Sequence, residues 1–90
     1  MDYDKLIEEL KVLKKFHTAD KGKEETVFYR GKDNPNGVLK VNDDVFNLEN
    51  INLLSLSRKY GVLIHYDTPK GRKLYPYEHN NIYDVSVRLR

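Results

Sequence analysis

The chain has 90 residues, with 16 Lys and Arg against 14 Asp and Glu, a formal net charge of +2 and 39% hydrophobic residues. That length supports one modest core, so a single domain over residues 1–90 is expected, and the composition argues against wholesale disorder. The absence of cysteine removes disulfides, zinc ribbons, iron-sulfur clusters and thiol chemistry, and no apolar run approaches the roughly 20 residues a membrane-crossing helix needs.

Tyr3, Leu6, Ile7, Leu10, Leu13 and Phe16 recur at three- and four-residue spacings, which predicts a helix over about 3–16, with Val12 off the apolar stripe. Asp2 or Asp4 can accept its first N–H groups, while Lys14 and Lys15 face the negative end of its dipole. An acidic, amphipathic start of this kind does not read as a secretory leader. Residues 17–24 lose the period and contain Gly22, as a connector would. Residues 25–30 alternate as a strand, the turn-rich stretch GKDNPNG follows, and residues 38–41 return as a second strand. The two strands read as a hairpin with a wide loop, because a tight Asn36-Gly37 turn would set Pro35 opposite Val38 in the ladder.

A second helix is predicted over 48–60. Asn47 can cap it, Glu49 lies in its first turn, Arg58 and Lys59 lie in its last, and Gly61 follows its end. Phe46 and Ile51 suit a hydrophobic staple, and Leu56 can meet Val62 across the C-terminal turn. Its apolar residues, Leu48, Ile51, Leu53, Leu54, Leu56 and Tyr60, cover more than half its circumference. Such a helix is sandwiched or shows an apolar face to a partner.

Residues 62–67 then form a strand, Thr68 to Gly71 a turn, and residues 72–78 the returning strand, which Pro76 places at a sheet edge. A turn at 79–81 leads into residues 82–90, where Tyr83, Val85, Val87 and Leu89 alternate with Asp84, Ser86, Arg88 and Arg90 to leave one wet face. The order α-β-β-α-β-β-β implies an α+β fold, two helices packed on an antiparallel sheet.

Little in this chain suggests catalysis. His17, His65 and His79 stand at no metal-ligand spacing, and no nucleophile elbow or phosphate-binding glycine loop is present, so no catalytic residue, metal or cofactor is assigned. A metal-independent ribonuclease remains an alternative, since His65, Tyr66, Lys73, Tyr75, Arg88 and Arg90 offer a base, an acid and cations on a small sheet.

Charge is unevenly placed: residues 46–90 carry seven Lys and Arg against four Asp and Glu, whereas residues 1–45 carry nine against ten. The stretch LLSLSRKYGVLIHYDTPKGRKLYPYE places an apolar helix with a basic end before a strand, a basic turn and a second strand. This layout resembles the recognition helix and wing of winged-helix DNA-binding domains. It departs from them in lacking a short helix before the recognition helix and in carrying Glu49 and Leu53 where base-reading side chains belong. Apart from the resemblance, if Arg58, Lys59, Lys70, Arg72, Lys73, Arg88 and Arg90 converge on one face, about four to six phosphates are contacted, which gives weak, salt-sensitive binding to DNA or RNA.

The leading expectation is a small non-enzymatic binding module that docks on a protein partner or a second copy. Leu53 and Leu56 on the helix and Tyr75 and Tyr77 at the strand edge are its interface candidates. Abundant Lys, Asn and Tyr beside a single Ala suit an AT-rich genome, such as that of a phage or mobile element with accessory or inhibitor proteins of this size. A cysteine-free chain is compatible with a cytoplasmic location, and no membrane partner is expected.

Overall fold

A computed structural model describes residues 3–13, 16–21, 24–31 and 34–90. These residues form the helix α1 (Tyr3–Leu10) and the strands β1 (Phe16–Lys21), β2 (Glu24–Arg30), β3 (Gly37–Val41), β4 (Asp44–Asn47), β5 (Ile51–Ser57), β6 (Gly61–Thr68), β7 (Gly71–Tyr77) and β8 (Val85–Leu89). Short 3-10 turns stand at Leu48–Asn50 and His79–Asn81. Every strand pairing is antiparallel, in a five-stranded sheet of order β1-β2-β5-β6-β7 and a three-stranded sheet of order β4-β3-β8.

α1 is the expected amphipathic helix, but shorter. Tyr3, Leu6 and Leu10 are buried, Leu13 follows them into the core, and Val12 is 44% exposed. The chain leaves the helix through Lys11, whose N–H still donates to the Ile7 carbonyl at 2.9 Å, and Leu13, whose N–H reaches Leu10 at 3.0 Å. Asp2, Lys14 and Lys15, read as its cap and C-terminal charges, lie outside the described residues. β1 begins at Phe16, so most of the predicted connector is strand, paired with β2 from Phe16 opposite Tyr29 to Lys21 opposite Glu24.

The strands at 24–30 and 37–41 do not pair with each other, contrary to the hairpin reading. β2 joins β5, while β3 turns tightly into β4 through Asn42 and Asp43 and takes β8 on its other side. Asn42 adopts φ 55°, a conformation in which Asn is the most tolerant residue after glycine.

The second helix is overturned. Residues 48–50 make a single 3-10 turn and residues 51–57 run extended between β2 and β6. Asn47 makes no side-chain cap bond; its backbone N–H donates to the Tyr66 hydroxyl at 3.0 Å. Leu56 does meet Val62, but as its directly opposed strand neighbour. The fold is therefore mostly β with one helix among the described residues, and the helical half of the winged-helix resemblance disappears.

Two devices fix β5. Ile51 opposes Tyr66 and Leu53 opposes His65, so Asn52 is an extra residue, and the bulge turns Ile51 to the same side as Leu54 and Leu56. The Gly31 N–H donates to the Asn52 carbonyl at 3.1 Å and the Asn34 amide to the Ile51 carbonyl at 2.8 Å, satisfying the backbone that the bulge releases. A Cβ on Gly31 would collide with the Ile51 carbonyl and the Asn34 side chain. At the other end, Ser57 opposes Gly61 across a three-residue loop, with Gly61 at φ 97° and the Ser57 hydroxyl accepting the Lys59 and Tyr60 N–H groups at 3.1 and 3.3 Å.

The two sheets face each other over one cluster of buried side chains that includes Leu6, Leu10, Leu39, Val41, Phe46, Leu48, Leu54, Leu56 and Ile64. Phe46 of β4 stands edge-on to the rings of Tyr66, Tyr75 and Tyr77 at centroid distances of 5.3, 4.9 and 6.4 Å. Such tilted contacts suit the ring quadrupoles. α1 covers the free edge of β8, where the Glu9 carboxylate accepts the Val87 N–H at 3.1 Å.

Candidate functional site

The outer face of the five-stranded sheet turns away from the core. Arg30, Leu53, His65 and Leu74 are successive cross-strand neighbours on it, and Ser55, Leu63 and Pro76 make the adjacent row. A sheet with one face in the core ordinarily alternates to polar residues on the other. Here Leu53 and Leu63 are half-buried, and Leu74 is 52% exposed.

β7 is the edge of this sheet. Thr68 and Gly71 close a two-residue loop, held by the Thr68 hydroxyl, which donates to the Gly71 carbonyl at 2.6 Å and accepts the Lys70 N–H at 3.3 Å. Such a closing pair is hydrogen-bonded both ways, and alternation along an antiparallel ladder then points Lys73 and Tyr75 at β6 and turns the N–H groups of Arg72 and Leu74 outward. Pro76 occupies the third outward position, opposite Leu63, where its missing N–H costs the ladder nothing. The open stretch is thus Arg72 to Leu74, beside Lys70 and Lys73. Lys73 lies 5.0 Å from the Tyr75 ring centroid and Arg72 pairs with Asp67 at 3.3 Å, both at the surface.

The seven cations singled out in the sequence separate into two groups. β6 carries the chain seven steps from Gly61 to Thr68, on the order of 23 Å, so Arg58 and Lys59 stand at the opposite end from Lys70, Arg72 and Lys73. Arg58 is at the β5–β6 loop rather than a helix end, with its guanidinium 3.1 Å from Asp4 and 3.9 Å from the Tyr3 ring centroid. Arg88 and Arg90 lie toward the Lys70 end, since Val38 opposes both Arg88 and Asn47, and the Asn47 N–H donates to the hydroxyl of Tyr66, the strand neighbour of Lys73. Arg88, however, opposes Val38 on the outer side of the smaller sheet, while Arg72 faces outward from the larger one. Arg30, which the sequence reading omitted, stands on the outer face level with Leu74 and three strands from it.

The interface candidates are also sorted. Leu53 is on the open face, but Leu56 is fully buried, because strand alternation sends it to the core. Tyr75 and Tyr77 do flank Pro76, yet both turn inward onto Phe46 and are half-buried. Burial, together with the Asp44 carboxylate that accepts its hydrogen bond at 2.7 Å, raises the Tyr77 hydroxyl well above the usual tyrosine range.

The groups considered for RNA cleavage do not share a surface. His65 is on the outer face, Tyr66, Lys73 and Tyr75 are on the inner one, and Arg88 and Arg90 belong to the other sheet. His79 sits beside the Tyr3 ring with Nε2 against the Ser57 carbonyl. Among the described residues no three His, Cys, Asp or Glu gather as metal ligands, and no helix is long and apolar enough to cross a membrane.

The chain matches no protein-family model, no curated protein and no solved structure at a significant level.

Proposed function

We propose that this protein is a non-catalytic protein-interaction module that takes an extended, acidic segment of a partner alongside β7. The observation that carries this reading is the uncovered stretch Arg72 to Leu74, with backbone groups facing outward between Lys70, Arg72 and Lys73. Adding a strand satisfies those groups, and carboxylates on the incoming segment complement the cations. Leu74 and Pro76 stand on the outer face of β7, so that alternate side chains of the segment meet apolar surface. The same charges disfavour a second copy, whose own Arg72 and Lys73 would oppose them.

A titration with a peptide alternating Glu and Val tests it. Binding is expected to weaken as salt rises, to fall with Arg72→Glu or Lys73→Glu, and to vanish when alternate peptide residues are proline, which cannot pair. Equal binding of the proline peptide, or none of either, overturns it.

A second reading rests on the cations toward one end of the molecule, Lys70, Arg72 and Lys73 on the larger sheet and Arg88 and Arg90 on the smaller one. A rim of cations of this size suits weak, sequence-independent contact with nucleic-acid phosphates. Filter binding at two salt concentrations tests it: a steep salt dependence lost in Arg88→Ala with Arg90→Ala supports this reading, and no retention at low salt removes it.

A further inference from the structure

At the opposite end from the basic hairpin, the β5–β6 loop, the end of β7 and the loop that follows it enclose a groove of about 440 Å³, lined by Asn42, Tyr60, Pro76, Tyr77, Glu78 and Asn81. We infer that this groove takes a cationic side chain, an arginine or lysine of a partner, held over the Tyr60 ring and against the Glu78 carboxylate. The proposal is independent of β7 strand addition, since it uses the other end of the molecule.

Three observations carry it. Tyr60 is 69% exposed, with no core position to explain its ring, and it forms one wall. The ring already attracts a cation of this chain: Lys59 Nζ lies 5.2 Å from its centroid. A carboxylate lines the groove and two more stand near its Tyr77 side. Glu78 lines the groove and makes no ion pair among the described residues, Asp44 stands behind the Tyr77 hydroxyl at 2.7 Å, and Asp43 lies next to Asp44 with the Tyr83 hydroxyl at 2.9 Å. An aromatic ring and a carboxylate lining one groove are complementary to a guanidinium or ammonium and repel an anion.

Hydrogen bonds tie part of the groove's lining together. The Asn42 amide donates to the Asn81 carbonyl at 2.9 Å, and the Asn81 N–H donates to the Glu78 carbonyl at 3.0 Å, so three lining residues are bonded to one another. Pro76 adds a fixed apolar wall.

N-acetyl-arginine amide is the probe, with its neutral citrulline analogue as control, and binding is read from NMR shifts of the Tyr60 ring and the Glu78 and Asn81 amides. Saturable shifts with arginine and none with citrulline are expected. Tyr60→Leu and Glu78→Gln should each weaken binding by roughly two- to fivefold. Lys59→Ala should strengthen it by a similar factor, because it frees the ring and removes a like charge. Tyr60 and Glu78 are exposed, so these variants keep the fold, which an unchanged amide spectrum elsewhere verifies. Absent shifts, equal shifts with citrulline, or unchanged affinity in both weakening variants overturn the proposal.

Discussion

The Asn42 side-chain carbonyl accepts the Tyr83 backbone N–H at 2.9 Å, across 41 residues of sequence. It also receives the Asp84 N–H at 3.3 Å, while the Asn42 amide donates to Asn81 and its own N–H to the Asp84 carbonyl at 2.7 Å. One residue of the β3–β4 turn thus holds the loop that carries the chain from β7 to β8. Asn42→Ala removes three side-chain bonds and puts at φ 55° a residue that tolerates the left-handed region less well than Asn, so it should cost about 1–3 kcal/mol. Asn42→Asp keeps the acceptor and should cost less. Denaturant unfolding of the two variants checks the order.

Leu53 and Leu54 are sequence neighbours with opposite destinations, and their substitution separates a strand from a helix. Leu54 is fully buried against Ile64, so Leu54→Ala should lose about 2–5 kcal/mol. Leu53→Ala should lose about 1 kcal/mol or less, since Leu53 lies on the half-open face. Comparable losses at both positions would contradict the assignment of faces.

Pro76 blunts the β7 edge. Pro76→Val supplies a third outward N–H and lengthens the open ladder, which should leave the domain folded but raise its tendency to associate edge to edge. Sedimentation at high salt, which screens the like charges of Arg72 and Lys73, checks this: a Val variant no more associated than the parent would mean that the edge is already covered.

Alkaline pH should weaken the fold. The hydroxyl of Tyr77 is raised by burial and then by Asp44, that of Tyr29 by burial, and that of Tyr83 by its bond to Asp43 and then by burial. A phenol that holds its proton more tightly when folded stabilises fully below the unfolded value near 10. That stability falls as pH rises through the range where only the unfolded chain ionises. Denaturant midpoints should therefore be flat from pH 7 to about 9 and drop above about 10. The drop should be smaller in Tyr77→Phe, which no longer titrates there.

The second half of the fold was legible where signals were local. Thr68 to Gly71 and Pro76 define the β6–β7 hairpin and its edge without reference to anything distant, and the alternation of residues 85–89 identifies β8. Residues 51–57 misled because the run Ile51, Leu53, Leu54, Leu56 is short, Leu favours helix, and Asn47, Arg58, Lys59 and Gly61 imitate helix ends. The clue was that its apolar residues made no single stripe. Two faces of a central strand account for them, and only the flanking β2 and β6, with the bulge at Asn52, decide that outcome. β1 was invisible because Phe16–Lys21 has no alternating apolar pattern and takes its conformation from β2. Of the site, Lys70, Arg72 and Lys73 were readable as a basic hairpin. The position of Arg30 and the inward turn of Tyr75 and Tyr77 depend on pairing with β5 and on Phe46, which no local pattern reveals.

Amide hydrogen exchange along β7 tests the binding account most directly. In the free protein the Arg72 and Leu74 amides should exchange rapidly while those of Lys73 and Tyr75 are protected by β6. On adding the alternating Glu-Val peptide, Arg72 and Leu74 should gain protection. Protection of Arg72 and Leu74 without any partner, or their continued rapid exchange in the peptide-saturated protein, would contradict it.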